Sequence, residues 1–541
     1  MNSSSFTGPR PRGAVNRGAV NPLVLAAAAS ALFVGLLILL LPGHRFSGPH
    51  ANGDAEELFL YCAAGMRLPV EEILDMYHHD CGIRVRCQYG GSNTLLSQIE
   101  VGRMGDLYLA ADESYLRRGT TMGLVAEHIP LARMSAVIAV PSGNPGNIQS
   151  VADLSRDDVR VAMGNPDQAA VGKVVRAALR ESGQWASLEA NVRAHGVFKP
   201  TVGDVANDVK LGSVDAGVIW DSVAAQYTDI EMINSEDVIL GTVDIALGVL
   251  TDSNQPTRAL HFARYLSARD RGLRVFERLG YVPVGGDQWE DSPQLTFYSG
   301  AINRHALEST LDSFAAREGV RVNTVYNGCG ILTAQMRSIV RDESGDFPDA
   351  FMACDRHYLD AVNELFEDRV DVSSARIVIL TARGNPKQIN QLRDLAKPGV
   401  RVALGQPKQC TIGVLSKRLL ESVGLYEQIT SENLVTEMTS SSLLVPSITT
   451  GAADAVLAYE TDAMAEQDHV EIVEIDSPLA QAIQPFGIAR SSAHKQLGKR
   501  LLDAISMSRS QFESAGFSWR LDNPHWGQGD EAGVGIGSSE E

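Results

Sequence analysis

The sequence has little of several features that would place it in a class at once. Lysine and arginine (47) are outnumbered by aspartate and glutamate (66), which leaves a net charge of −19 over 541 residues. Nucleic-acid affinity comes largely from cations that neutralise phosphates, so a chain this acidic is a poor candidate for binding nucleic acid. Aromatic residues make up only 6% of the chain, yet 44% is hydrophobic, which is normal for a globular protein and excludes wholesale disorder.

Signatures of the common enzyme classes are also missing. The sequence has no HExxH or GxSxG motif, and Gly164 to Lys173 is an incomplete Walker A loop. Asp112 and Asp355 follow matching strands but lie in different halves of the chain, which favours turn or capping roles over a catalytic pair. We therefore expect a protein that is not an enzyme and that uses no cofactor.

Long apolar runs are absent apart from one near the N-terminus. Leu23 to Leu41 is uncharged and follows Arg10, Arg12 and Arg17. About twenty apolar residues span a bilayer, and the arginines should stay cytoplasmic, so the rest of the chain would be extracytoplasmic, in the periplasm. The length of the run and the lack of an A-x-A-like site favour an uncleaved transmembrane anchor over a cleaved signal peptide. The anchor hypothesis predicts a cytoplasmic basic segment (1–22), a membrane span (23–41) and a polar linker (42–54).

The rest of the chain repeats itself. Blocks from the two halves match in the same order at an offset of about 240 residues, as from Tyr89 to Tyr326 and from Trp220 to Tyr459. We expect two homologous domains, 55–288 and 292–522, and a disordered acidic tail, 523–541. The matched blocks are Leu58 to Tyr77 with Leu295 to Phe314, Arg84 to Ile99 with Arg321 to Met336, Asp106 to Leu116 with Asp349 to Leu359, Arg160 to Leu179 with Arg401 to Leu420, and Val214 to Ala224 with Ala453 to Ala463.

Each half alternates predicted strands and helices. LFLYCA and VRVAMG are typical of buried strands, whereas LPVEEILDMYHH and AAVGKVVRAALRES have helical spacing. This rhythm predicts an α/β fold with parallel sheets covered on both faces.

The order of these blocks resembles the type II periplasmic solute-binding proteins, and among them the molybdate-binding proteins of ABC importers. The segments that carry the resemblance in the first half are CAAGM, GGSNTLLSQIE, DLYLAAD, MGNPDQAAVGK and AGVIWDSVA. The resemblance implies that each domain has two α/β lobes joined by a hinge, with a tetrahedral oxyanion in the cleft between them. It also implies capture of molybdate or tungstate for an ABC permease subunit. The alternative is a membrane-anchored ligand sensor or scaffold with degenerate clefts.

Carried over position by position, the resemblance implies that Gly65, Ser92, Val171, Val205 and Trp220 line the first cleft. Helix N-termini would supply backbone N–H donors there, so the site needs no lysine or arginine. The family usually has a hydroxyl residue at the place of Gly65 and a tyrosine at that of Trp220, so other oxyanions stay open.

The second half departs further from the family. Cys329 stands in the place of Ser92, Ile302 in that of Gly65, and Tyr459 keeps the family tyrosine. We expect Cys329 and Tyr459 to line the second cleft, which has lost oxyanion binding or acquired a different ligand.

Six cysteines allow three interpretations. Buried free thiols are favoured, because unpaired cysteine packs as a small hydrophobe. A disulfide, with Cys329–Cys410 as the suggested pair, fits an exported domain. A soft-metal thiolate site at Cys329, Cys354 and Cys410 is the third alternative, although their spacing fits no compact zinc motif.

Overall fold

The structure, a computed structural model, describes residues 57–233, 240–343 and 345–521. The predicted basic segment, anchor, linker and tail (1–22, 23–41, 42–54 and 523–541) lie outside these residues. Within the described ranges, no helix is long and apolar enough to cross a membrane.

The first domain contains ten strands and nine α-helices among its described residues. The strands are β1 (Leu58–Ala63), β2 (Val85–Gly90), β3 (Leu107–Ala110), β4 (Val125–Pro141), β5 (Val161–Gly164), β6 (Val197–Lys199), β7 (Ala216–Trp220), β8 (Ile230–Met232), β9 (Thr242–Leu250) and β10 (Val282–Pro283). The helices are α1 (Arg67–Cys81), α2 (Ser92–Gly102), α3 (Ser114–Thr121), α4 (Ala170–Glu181), α5 (Trp185–His195), α6 (Val202–Lys210), α7 (Asp221–Ala224), α8 (Pro256–Leu266) and α9 (Gly272–Arg278).

The second domain repeats this succession of elements. Its strands are β11 (Gln294–Gly300), β12 (Arg321–Asn327), β13 (Ala350–Met352), β14 (Phe366–Ala382), β15 (Val402–Gly405), β16 (Leu434–Met438), β17 (Ala455–Tyr459), β18 (Val470–Val473), β19 (Gln481–Ala489) and β20 (Ser518–Trp519). Its helices are α10 (Arg304–Glu318), α11 (Cys329–Asp342), α12 (Arg356–Asp360), α13 (Thr411–Ser422), α14 (Tyr426–Glu432), α15 (Leu444–Thr449), α16 (Glu460–Ala463), α17 (Lys495–Ser506) and α18 (Arg509–Ser514). Short 3₁₀ turns include Ala64–Met66, Ala301–Asn303 and Ser441–Leu443.

Both domains have the same sheet order. The strands run β2-β1-β3-β9-β4-β7-β5-β6 in the first domain and β12-β11-β13-β19-β14-β17-β15-β16 in the second. The sequence repeat is therefore a repeat of topology.

One long strand divides each domain into two lobes. The first part of β4 pairs with β9, and its last residues pair with β7. We call the lobe around β1, β2, β3 and β9 lobe A, and the lobe around β5, β6 and β7 lobe B; β14 divides the second domain in the same way. The chain leaves lobe A along β4 and returns to it before β9.

The strand directions differ in part from the prediction of parallel sheets. Strand β1 runs parallel to β2 and β3, and β5 runs parallel to β6 and β7. The pairs β3–β9, β4–β9 and β4–β7 are antiparallel. The reason is that β4 carries the chain from lobe A to lobe B and β9 follows its return, so each runs against the neighbouring strand of a βαβ unit.

The two domains contact each other through their A lobes. The carboxylate of Glu318 on α10 accepts hydrogen bonds from Arg264 on α8 (3.2 Å) and from Arg500 on α17 (2.7 Å), and all three side chains are buried. Asp287, between the domains, accepts the N–H groups of Gln496 and Leu497 in the first turn of α17, at 2.8 and 2.9 Å. Hydrogen bonds from both domains therefore hold the two A lobes together.

Candidate functional site

A cleft cavity lies between the two lobes of the first domain. It encloses about 250 Å³ of empty space, counted out to its mouth. Its walls are formed by Ala63, Ala64, Gly65, Gly90, Gly91, Ser92, Ala111, Ala169, Ala170, Val171, Thr201, Val202 and Trp220. Glycine and alanine dominate this lining, so backbone rather than side chains faces the cavity.

Three helices begin at the cavity wall. Helix α2 begins at Ser92 after Gly91, α4 begins at Ala170 after Ala169, and α6 begins after Thr201. Gly91 and Ala169 provide no side-chain cap, which leaves the first N–H groups of α2 and α4 free of a side-chain acceptor. Such N-termini carry a partial positive charge and are suited to an anion.

Ser92 provides a side-chain hydroxyl at the cavity wall. Its side chain is buried, and its Oγ accepts the backbone N–H of Ala111 at 3.2 Å. The phenol of Tyr108 donates to the carbonyl of Ser92 at 2.7 Å and holds the turn in place. A serine hydroxyl can accept and donate at the same time, so Ser92 Oγ can donate its proton to a ligand while it accepts the Ala111 N–H.

The lobes touch at the mouth of the cavity. The side-chain amide of Asn93 donates to the backbone carbonyl of Asp167 at 2.8 Å, and the backbone N–H of Asn93 donates to the carbonyl of Gln168 at 3.3 Å. A Cβ on Gly91 would lie 2.5 Å from the Gln168 oxygen. Glycine is therefore required here for the lobes to meet.

Four of the predicted first-cleft residues, Gly65, Ser92, Val171 and Trp220, line this one cavity. A Cβ added to Gly65 would lie 3.2 Å from Val202 and 3.4 Å from Trp220. A hydroxyl side chain at that position, as the family usually has, would therefore require its neighbours to shift.

Val205 is the exception, because it does not line the cavity. It is fully buried on the inner face of α6, where it packs against Gly217. Thr201 and Val202, one turn earlier, line the cavity instead. The sequence held a signal for them, because Thr201 with Asp204 three residues later is a helix-start pattern, and Thr201 does accept the Asp204 N–H.

The second domain has a disulfide at the equivalent place. Cys329, at the start of α11, is bonded to Cys354, which follows β13. The suggested pair Cys329–Cys410 is therefore wrong, and so is the preference for free thiols at Cys329 and Cys354. Cys410 is a buried free thiol, as preferred. Gly300 explains the pairing, since a Cβ there would overlap the sulfur of Cys354.

One hydrogen bond at the disulfide corresponds to a hydrogen bond of the first cleft. The Cys354 N–H donates to Cys329 Sγ at 3.0 Å, as the Ala111 N–H donates to Ser92 Oγ. The difference is that Cys329 Sγ has no proton left to donate. Among the described residues no group of three or more His, Cys, Asp and Glu side chains could hold a metal ion, so the thiolate-site alternative has no support there.

Tyr459 ends β17, as Trp220 ends β7. It is 2% exposed, and its hydroxyl has no hydrogen-bond partner among the described residues. Burial and then the Asp462 and Asp355 carboxylates raise the pKa of Tyr459. Burial also raises the pKa of Asp462 to about 6.

Of the two aspartates that follow matching strands, Asp355 caps a helix and Asp112 closes a turn before one. Asp355 precedes α12 and accepts the N–H of His357 at 3.0 Å. Asp112 accepts the N–H of Ser114 at 2.8 Å and forms an ion pair with Lys173 at 2.9 Å. These contacts agree with the turn or capping roles that the sequence favours.

Comparison with known proteins places the chain among binding proteins. The sequence profile of a family described as bacterial extracellular solute-binding protein matches residues 58–282 and again 295–518. The molybdate-binding protein ModA of Mycobacterium tuberculosis is 26% identical over 245 residues, which is 44% of this chain and 89% of that protein. The molybdate-binding protein ModA of Escherichia coli is 22% identical, over 43% of this chain and 91% of that protein. A sulfate-binding protein of Synechococcus elongatus is 26% identical, over 34% of this chain and 59% of its own length.

Proposed function

The chain belongs to the bacterial extracellular solute-binding protein family, and from this we propose that its first domain captures an oxyanion for an ABC importer. Molybdate or tungstate is the favoured ligand. The observation that carries the proposal is the cavity at which α2 and α4 begin without side-chain caps beside the Ser92 hydroxyl. Backbone N–H groups at helix starts bind an oxyanion without a cationic side chain.

The names of the relatives support this choice of ligand. Two of them are molybdate-binding proteins, and one is a sulfate-binding protein. All three names describe proteins that bind a tetrahedral oxyanion. The overall charge of −19 does not oppose this, because a local group of N–H and O–H donors can attract an anion inside a negative protein.

The location is proposed to be outside the cytoplasm, with residues 23–41 as a membrane anchor. The run of apolar residues after three arginines supports this orientation. Fractionation tests it: the full chain should stay with the membrane in alkaline carbonate, and a chain that begins at residue 55 should not. Recovery of the full chain in the soluble fraction would contradict the anchor.

Ser92→Ala tests the ligand assignment directly. The variant removes an O–H donor to a charged ligand, which is worth about 1.5–3 kcal/mol and corresponds to roughly tenfold weaker binding or more. Calorimetric titration of the full chain with molybdate, tungstate and sulfate would measure it. Ser187→Ala, an exposed serine on α5 of the same domain, is the matched control and should leave the affinity unchanged.

Two results would contradict the proposal. One is that none of the three anions binds to the unchanged chain. The other is that Ser92→Ala and Ser187→Ala bind molybdate equally well.

A further inference from the structure

The second cleft differs from the first in the chemistry of its walls. Positions that are apolar in the first cleft carry hydroxyl or carboxyl groups in the second, whereas the first-cleft serine is replaced by a disulfide sulfur. The exchanges are Tyr459 for Trp220, Thr411 for Ala170, Ser441 for Val202, Asp462 for Val223, and Cys329 for Ser92.

The position of Asp462 follows from the first domain. There, Val202 and Val223 approach the same point, since a Cβ on Gly65 would lie 3.2 and 3.6 Å from them. Val202 and Gly65 both line the first cavity. Ser441 and Asp462 take the places of these two valines, and the Ser441 hydroxyl interacts with the Asp462 carboxyl. The Asp462 carboxyl group therefore lies beside two wall positions of the second cleft, those of Ile302 and Ser441.

Several of these polar groups lack a partner. The Tyr459 hydroxyl and Asp462 Oδ2 are inaccessible to solvent and have no hydrogen-bond partner in the part of the chain that the structure describes. The buried Thr411 hydroxyl interacts with Tyr358. Tyr459 and Thr411 are only 2% and 4% exposed. Buried polar atoms are almost always hydrogen-bonded in folded proteins, so the Tyr459 hydroxyl and Asp462 Oδ2, close to each other, are candidates for binding a ligand.

The charges of the second cleft also differ. In the first domain Lys173 pairs with Asp112 at 2.9 Å, but Val414 occupies the place of that lysine in the second. Asp355 has no lysine at the equivalent place, and Asp462 adds a carboxyl group whose field reaches Tyr459. Lys408 takes the place of Asp167 in the exposed turn where the lobes meet, so this cation lies at the rim of the second cleft.

The oxyanion donors of the first cleft are reduced at the same time. Cys329 Sγ accepts the Cys354 N–H and has no proton to offer. Ile302 stands where Gly65 lines the first cavity, so a branched side chain replaces a position that offers only backbone. An unpaired carboxylate oxygen accepts hydrogen bonds and cannot donate them, so it repels an oxyanion and attracts a cation that carries N–H groups.

We propose that the second cleft binds a small organic cation, a protonated amine, and not an oxyanion. The ammonium group would donate to Asp462 Oδ2 and to the oxygens of Tyr459 and Thr411. The two domains of one chain would then capture ligands of opposite charge at equivalent places in the fold.

The test is calorimetric titration of the full chain with ethanolamine, methylammonium and putrescine. At least one of these amines should bind at one site per chain. Asp462→Asn should weaken that binding about tenfold or more, because it removes the charge but keeps the shape. Asp468→Asn, which removes a carboxylate that is 95% exposed, is the matched control and should bind as the unchanged chain does. Tyr459→Phe gives an independent measurement if Asp462→Asn does not fold, and it should also weaken binding.

The proposal is overturned if none of the three amines binds, or if Asp462→Asn and Tyr459→Phe both bind like the control. It is also overturned if molybdate binds at two sites per chain. These outcomes are distinct from a failure of the first-domain assignment, which is measured by Ser92→Ala and molybdate alone.

Discussion

At the scale of the residue, Gly91 controls how closely the lobes of the first domain can approach. It precedes α2 and faces the carbonyl oxygens of Gln168 and Pro200 in lobe B. Its backbone φ of −71° is open to any residue, so the requirement for glycine is one of space and not of conformation.

Gly91→Ala is therefore expected to hold the cleft open. Its Cβ would lie 2.5 Å from the Gln168 oxygen, which forces the lobes apart or distorts the turn. We expect molybdate affinity to fall by about tenfold or more, since one lost hydrogen bond to a charged ligand has that effect. Gly102→Ala, whose Cβ would meet nothing within 4 Å, is the control. Equal affinities of the two variants, measured by titration, would show that Gly91 does not limit closure.

Single residues also show how far the sequence could predict the site. Gly65, Ser92, Val171 and Trp220 could be assigned to one cleft through the family resemblance, and all four line the same cavity. Val205 could not be separated from Val202, because both are valines on α6 and only the rotation of the helix decides which one faces the cavity. The unpaired Tyr459 hydroxyl and Asp462 oxygen of the second cleft could not be found without coordinates, since hydrogen bonding depends on distances.

At the scale of the element, the start of α11 is tied covalently to the end of β13. In the first domain the same two elements, α2 and β3, are joined through the Ser92–Ala111 hydrogen bond. The exchange of a hydrogen bond for a disulfide fixes a helix N-terminus that would otherwise be free to adjust to a ligand.

Removal of this disulfide is expected to destabilise the second domain. Cys329 and Cys354 are 25 residues apart, and closing a loop of that size stabilises a protein by about 3 kcal/mol. Urea unfolding of the double variant Cys329→Ser, Cys354→Ala, which restores the first-domain pair of residues, should show a lower midpoint. A reductant should lower the midpoint of the unchanged chain and leave that of the variant where it is. A midpoint that no reductant changes would contradict the assignment.

The elements themselves were largely predictable, and their directions were not. The strand LFLYCA and the helices after Met66 and Ala169 appear as the hydrophobic spacing predicts. The antiparallel course of β4 and β9 depends on the chain changing lobes, which no local pattern encodes. The prediction of the cysteine pairing was wrong for a similar reason, because the pairing depends on which strand ends lie side by side.

At the scale of the whole molecule, the two A lobes form one body around Glu318. Burial alone would raise the pKa of Glu318, but the charges of Arg500 and Arg264 outweigh it and lower the pKa. The carboxylate therefore stays ionised between two buried guanidinium groups.

Glu318→Gln is expected to lower the free energy of unfolding by about 3–5 kcal/mol, because it leaves two buried cations without their partner. Glu127→Gln is the control, since the Glu127–Arg317 pair at the same interface is more exposed and is worth at most about 1 kcal/mol. The lowered pKa means that the contribution of Glu318 is present above the unfolded pKa and is lost as the pH falls through the folded value. Urea unfolding at neutral and acid pH would measure both effects, and equal losses in the two variants would contradict this role.

The fused A lobes have a consequence for observing the molecule at work. If both clefts close by lobe movement, the shared body stays still and only the two B lobes swing, each about its own long strand, β4 or β14. With one fluorescent dye on each B lobe, the closure of either cleft would change the distance between the two dyes. The distance between a second pair of dyes, attached to α8 and α10, should stay constant and would serve as an internal control.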